Sequence, residues 1–126
     1  MISHITLHVN DADLSKNFYL NALKPLGYEL ISDHPEWKLF SLGQNGASDT
    51  WIYAGEGAKQ VAHVAYTAQS KEDVQAFYDA ALANGGKDNG APGYRKNYTP
   101  GYYAAFAYDP SGNNIEAVFM DPNPSE

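Results

Sequence analysis

The chain has no cysteine, a single arginine (Arg95), and no apolar run near the roughly twenty residues needed to cross a bilayer. Without cysteine there are no disulfides, no thiolate metal sites and no cysteine nucleophile. Eight Lys and Arg stand against fifteen Asp and Glu, for a net charge of −7. No basic stripe exists to hold a phosphate backbone, so nucleic acid and anionic membrane surfaces are not expected partners. Met1 leads straight into a strand pattern with no secretory leader, which makes the cytoplasm the expected compartment. A length of 126 residues suits one domain with a real core.

What the sequence does contain is an echo of itself. His4, Phe18, Tyr19, Ala22, Leu23 and Gly27 recur as His63, Phe77, Tyr78, Ala81, Leu82 and Gly86, each pair at one constant offset of 59 residues. A gap-free repeat of a strand-borne His and a helix-borne Phe-Tyr implies two copies of one supersecondary unit, over about 1–56 and 61–121 of a single domain spanning 1–126.

From Ser3 to Val9 the residues alternate, with Ile5, Leu7 and Val9 on one face and His4, Thr6 and His8 on the other. Asp11 is placed to cap a helix on which Leu14, Phe18 and Ala22 line one side, until Pro25 and Gly27 stop it. Glu29–His34, Trp37–Gly43 and Asp49–Ala54 then read as three strands, which gives β-α-β-β-β. The second unit repeats this order. Ala62–Ala68 is its first strand, and Ser70 with Asp73 forms a capping box. Val74, Phe77, Tyr78 and Ala81 form the buried helix stripe, and Gly85-Gly86 ends the helix. Asp88–Gly101 reads as a short strand plus a long functional loop. Tyr102–Tyr108 and Asn114–Phe119 are the last strands, joined by an Asp109-Pro-Ser-Gly112 turn.

Alternation places His4 on the polar front of the first strand, and the repeat puts His63 at the equivalent point of the second unit. On the last strand Glu116 is a lone acid in an apolar segment, and burying such a carboxylate unpaired is costly. Two imidazoles and one carboxylate form the facial set that suits a first-row divalent cation, with positions left open to substrate. His8 shares the front face with His4 and could replace or supplement it, or serve as an auxiliary base. His34 precedes Pro35 at a strand end, where solvation is expected, and Asp109 and Asp121 precede prolines as turn acids. The segment around Arg95, Tyr98, Tyr102 and Tyr103 is rich in tyrosine. It offers either a pocket for a small flat or acidic molecule or ordinary strand and surface residues. Tyr102 or Tyr103 could donate a proton, and Trp37 and Trp51 could line the same cup or fill core.

These motifs resemble the vicinal oxygen chelate superfamily of glyoxalase I, fosfomycin and bleomycin resistance proteins and extradiol dioxygenases. The resemblance rests on Ser-His4-Ile-Thr-Leu, Asn-Phe18-Tyr19, His63-Val-Ala, Ala-Phe77-Tyr78 and Asp109-Pro-Ser-Gly-Asn-Asn-Ile-Glu116, and spans almost the whole chain. It implies an α+β fold in which two βαβββ modules form an open, cup-shaped mixed sheet with helices on the outer face. It also implies His4, His63 and Glu116 as metal ligands. The strand that could supply a fourth ligand has only Asp49, at its start, so three ligands are expected. The cofactor implied is Fe, Mn, Zn or Ni, and the activity is enolate or oxyanion chemistry or dioxygen chemistry on a chelated small molecule. The alternative is a metal-free binder of the bleomycin-resistance type, to which the acidic charge is suited. The two units could close a cup within one chain, with His4 and His63 facing each other across the junction, or exchange across a dimer so that His4 of one chain meets His63 of the other; exposed strand edges point to a homodimer.

Overall fold

The computed structural model describes residues 1–55 and 61–124. The first half runs β1 (Ile5–Val9), α1 (Ala12–Ala22), β2 (Glu29–His34), β3 (Leu39–Gln44) and β4 (Ala47–Ala54). The second runs β5 (His63–Thr67), α2 (Lys71–Ala83), β6 (Lys87–Tyr94), β7 (Tyr102–Tyr108) and β8 (Asn114–Met120). Each half builds one open four-stranded mixed sheet, in the orders β1-β4-β3-β2 and β5-β8-β7-β6. The first strand of each half pairs parallel with the last, and the other pairings are antiparallel. The expected α+β pair of βαβββ modules is present.

Local chemistry explains the elements. Asp11 accepts a hydrogen bond from the Leu14 N–H at 2.9 Å, and Ser70 accepts one from the Asp73 N–H at 3.1 Å, so both helices are capped by side chains. The β3–β4 hairpin turns on Asn45-Gly46, both with positive φ (54° and 76°), the geometry of a tight turn that follows the strands' twist. Next to it, a Cβ on Gly43 would lie 1.8 Å from the Ala47 carbonyl oxygen, so the bulge there requires glycine.

The core forms where α1 and α2 pack on each other and on the sheets. Leu7, Val9, Phe18, Tyr19, Ile52, Val74, Phe77 and Ile115 are all buried in it. On α1 the buried stripe is Ser15, Phe18, Tyr19 and Ala22, whereas Leu14 is 57% exposed. The helix is rotated so that a small serine faces inward, a correction to the expected Leu14 stripe. Pro35–Trp37 forms a single 3-10 turn rather than the start of β3, so Trp37 lies outside the strand. The Gly- and Pro-rich stretch after α2 is an eight-residue edge strand with two register shifts, longer than expected.

A buried polar cluster couples the halves. The Tyr19 hydroxyl on α1 donates to Asp109 Oδ2 at 2.5 Å. Asp109 Oδ1 accepts from the N–H groups of Ser111 and Asn113, and Asn113 Nδ2 donates to Asp109 Oδ2 and to the His8 carbonyl. Asp109 is thus the expected turn acid, and it also ties the second half's turn to the first half's helix and strand. Among the described residues no helix is long and apolar enough to cross a membrane.

Candidate functional site

Strand alternation on β8 sends Ile115 and Ala117 into the core and Glu116 to the opposite face. Glu116 is nevertheless only 1% exposed. Phe106 stands directly across from it on β7, and His63 approaches from β5 on the other side. The buried carboxylate has both oxygens satisfied. Oε1 meets His63 Nε2 at 2.7 Å, and Oε2 accepts from the Tyr102 hydroxyl. Burial, reinforced by that bond to Glu116, pushes the Tyr102 phenol up to about 12, so it is a protonated donor at neutral pH. The His63 side chain is 53% exposed, so the pair opens to one side.

That side is a cavity of about 350 Å³ lined by His63, Asn89, Gly90, Arg95, Tyr98, Phe106 and Asn114. The Arg95 guanidinium lies 5.3 Å from the centroid of the Phe106 ring, and its Nη2 donates to the Ala91 carbonyl at 2.7 Å. The turn carrying it is hydrogen-bonded at both ends, from Arg95 N–H to the Tyr102 carbonyl and from Tyr102 N–H to the Thr99 carbonyl. It also brings Tyr98 edge-on to Tyr102 at 5.2 Å. An imidazole, a phenol and a guanidinium therefore line one concavity, with the Glu116 carboxylate buried directly behind the imidazole; nitrogen and carboxylate donors of this kind suit a divalent cation, and the guanidinium suits an oxygen-rich anion.

The remaining candidates lie elsewhere. His4 is exposed, with Nδ1 3.2 Å from Ser3 Oγ, and lines a different cavity of about 380 Å³ with Tyr28, Asp49, Thr50 and Tyr66. Asp49 accepts hydrogen bonds there from the Tyr28 and Thr50 hydroxyls at 2.6 and 2.9 Å. Among the described residues no group of three His, Cys, Asp or Glu side chains converges in one chain, so the chain joins His63 with Glu116 and leaves His4 apart. His8 stands edge-on to Tyr53 at 5.8 Å, on β1. His34, expected to be solvated, stacks on both Trp37 and Trp51, so these indoles sit on the first sheet, away from the His63 cavity. Tyr103 alternates to the face opposite Tyr102, where it packs on Tyr94 beneath Lys71. Sequence reasoning missed Phe106, Asn89 and Asn114. Phe106 shares the parity of Tyr102 on β7, a signal that the β7–β8 register makes readable.

A family model for the Glyoxalase/Bleomycin resistance protein/Dioxygenase superfamily matches residues 1–117. The chain belongs to that superfamily. No curated protein matches it. Among solved structures, a superfamily protein from Albidiferax ferrireducens, described as a glyoxalase/bleomycin resistance protein, is 28% identical with a TM-score of 0.76, covering 97% of this chain and 98% of the other. The fold is shared with a fosfomycin resistance protein from Listeria monocytogenes (23% identity, TM-score 0.70, covering 94% and 92%). It is shared as well with lactoylglutathione lyase from Agrobacterium tumefaciens (18% identity, TM-score 0.69, covering 94% and 92%). In this superfamily member the Asp109–Glu116 segment carries two tasks in eight residues: its start locks the halves together, and its end delivers the carboxylate.

Proposed function

We propose that this chain is a metal-dependent superfamily enzyme acting on a small, oxygen-bearing organic molecule, with His63, Glu116 and His4 holding a divalent cation. The observation that carries this reading is a fully buried carboxylate whose oxygen is 2.7 Å from a half-exposed imidazole at the wall of a cavity. The residues fit the cation in kind, an imidazole nitrogen and a carboxylate oxygen. They fall one donor short within a chain. We therefore propose a homodimer in which His4 of a second copy completes the set. In support, β1 and β5 are both edge strands available for such a closure.

When bound, the cation would supply Lewis acidity to two neighbouring substrate oxygens. The chain's own residues do the rest. Tyr102 holds the carboxylate, and Phe106 and Tyr98 wall the cavity. Arg95, stacked on Phe106, has N–H groups left to form a paired hydrogen bond with a carboxylate or phosphonate. Sequence alternation sets His8 on the face of His4, so a partner that contributes His4 would bring His8 as a candidate base.

A metal-free binding protein is the second reading. It is favoured by the fact that Glu116 is already satisfied by His63 and Tyr102 without a cation. Elemental analysis of protein purified without chelator decides between them. Near-stoichiometric Fe, Mn, Zn or Ni, lost in Glu116→Gln, supports the enzyme. A protein that stays metal-free after reconstitution is the binder.

A further inference from the structure

Carboxylates usually have two oxygens to offer a cation, and here one of them is already taken. The Tyr102 hydroxyl donates to Glu116 Oε2, while Oε1 faces His63 Nε2 at 2.7 Å. The phenol belongs to β7, the strand next to Glu116's own, at the end of that pairing where Tyr102 opposes Met120. It is held there by other groups. Tyr98 packs edge-on against its ring at 5.2 Å, and its backbone closes the Arg95–Tyr102 turn through hydrogen bonds of 2.7 and 3.3 Å. Phe106 covers the carboxylate from the same strand. Glu116 cannot rotate without breaking a hydrogen bond from a group fixed by a different element.

We infer that Tyr102 is a positioning residue which pins Oε2 of Glu116, so that a divalent cation can take only Oε1 together with His63 Nε2. This rests on the metal-site reading above and adds to it. One-oxygen ligation uses one coordination position where a chelating carboxylate would use two. The position saved is available to a substrate that itself presents two oxygens. Partners of this kind, which orient a ligand without touching the cation, typically tune metal affinity about 10- to 100-fold.

The test uses metal-stripped wild-type protein and Tyr102→Phe, each titrated with Co2+ alone by calorimetry and visible absorption. The substitution keeps the ring and its contact with Tyr98, so the fold is retained. We expect Co2+ binding to weaken about 10- to 100-fold, with a changed cobalt spectrum. An infrared difference spectrum of wild-type protein with and without the cation needs no variant, and should show the wide carboxylate splitting of one-oxygen ligation. Wild-type binding with an unchanged Tyr102→Phe affinity and spectrum, or a narrow splitting, overturns the role of Tyr102 and leaves the metal site standing. Wild-type protein that takes up no Co2+ overturns both.

Discussion

Replacing Tyr19 by Phe removes one oxygen from the polar cluster that joins the two halves and leaves every apolar contact in place. Tyr19 is fully buried, and its hydroxyl donates to Asp109 Oδ2 at 2.5 Å. A hydrogen bond to an ionised group contributes about 1.5–3 kcal/mol to stability. Asp109 is not orphaned by the change, because Ser111, Asn113 and the Asn113 side chain still donate to it. The loss therefore falls in the lower half of that range, about 2 kcal/mol. In a domain of 126 residues this corresponds to a fall in Tm of about 6–10 °C. Urea unfolding should show a lower midpoint with an unchanged slope, since the surface exposed on unfolding is the same. A loss below about 0.5 kcal/mol, the level of an ordinary surface change, would refute the reasoning that this bond couples the halves.

Three further outcomes are expected. Burial raises the Tyr66 and Tyr102 phenols to about 12 in the folded protein, while the unfolded chain ionises them near the ordinary value of about 10. Between these values the native state binds more protons than the unfolded state, so stability is full below pH of about 10 and is lost as pH rises toward about 12; urea midpoints that stay flat across this window would contradict the burial. Gly43→Ala places a Cβ 1.8 Å from the Ala47 carbonyl oxygen and should destabilise the β3–β4 hairpin by more than about 2 kcal/mol, read from chemical denaturation. Arg95→Ala should weaken binding of small carboxylates or phosphonates about tenfold or more while leaving cationic ligands unaffected, as measured by calorimetry, because it removes the guanidinium over Phe106.

Much of this architecture was readable before any coordinates. Strand alternation alone put Glu116 on the face opposite Ile115 and Ala117, and the offset repeat placed His63 at the start of β5. Both helix caps were evident from Asp11 and Ser70. What alternation lacks is register. Tyr102 could be matched to Glu116, and Tyr103 turned away from it, only once the β7–β8 pairing fixed which residues share a face. The length of β6 was hidden by composition, because an edge strand with bulges tolerates Gly90, Pro92 and Gly93 where a central strand would not. Leu14 misled because hydrophobic spacing cannot distinguish a stripe from one shifted by a residue, and the small Ser15 took the inward position. Asp109 was read as a turn acid because a local motif accounts for one of its oxygens. The other bonds Tyr19, ninety residues away in the chain, which no local pattern reports.

The same cluster gives the duplication a direction. Asn113 reaches back to the His8 carbonyl, Ser111 Oγ accepts from the Asn10 N–H, and Asp109 accepts a hydrogen bond from the Tyr19 hydroxyl. Cutting the chain between β4 and β5 would strip Tyr19 of its acceptor and of the α2 cover in one fragment, and would leave Asp109 in the other with only its local donors. The interior of each half is therefore finished by groups from the other. Because the two halves belong to one chain, these bonds form at the high effective concentration of an intramolecular contact rather than at the concentration of a free partner.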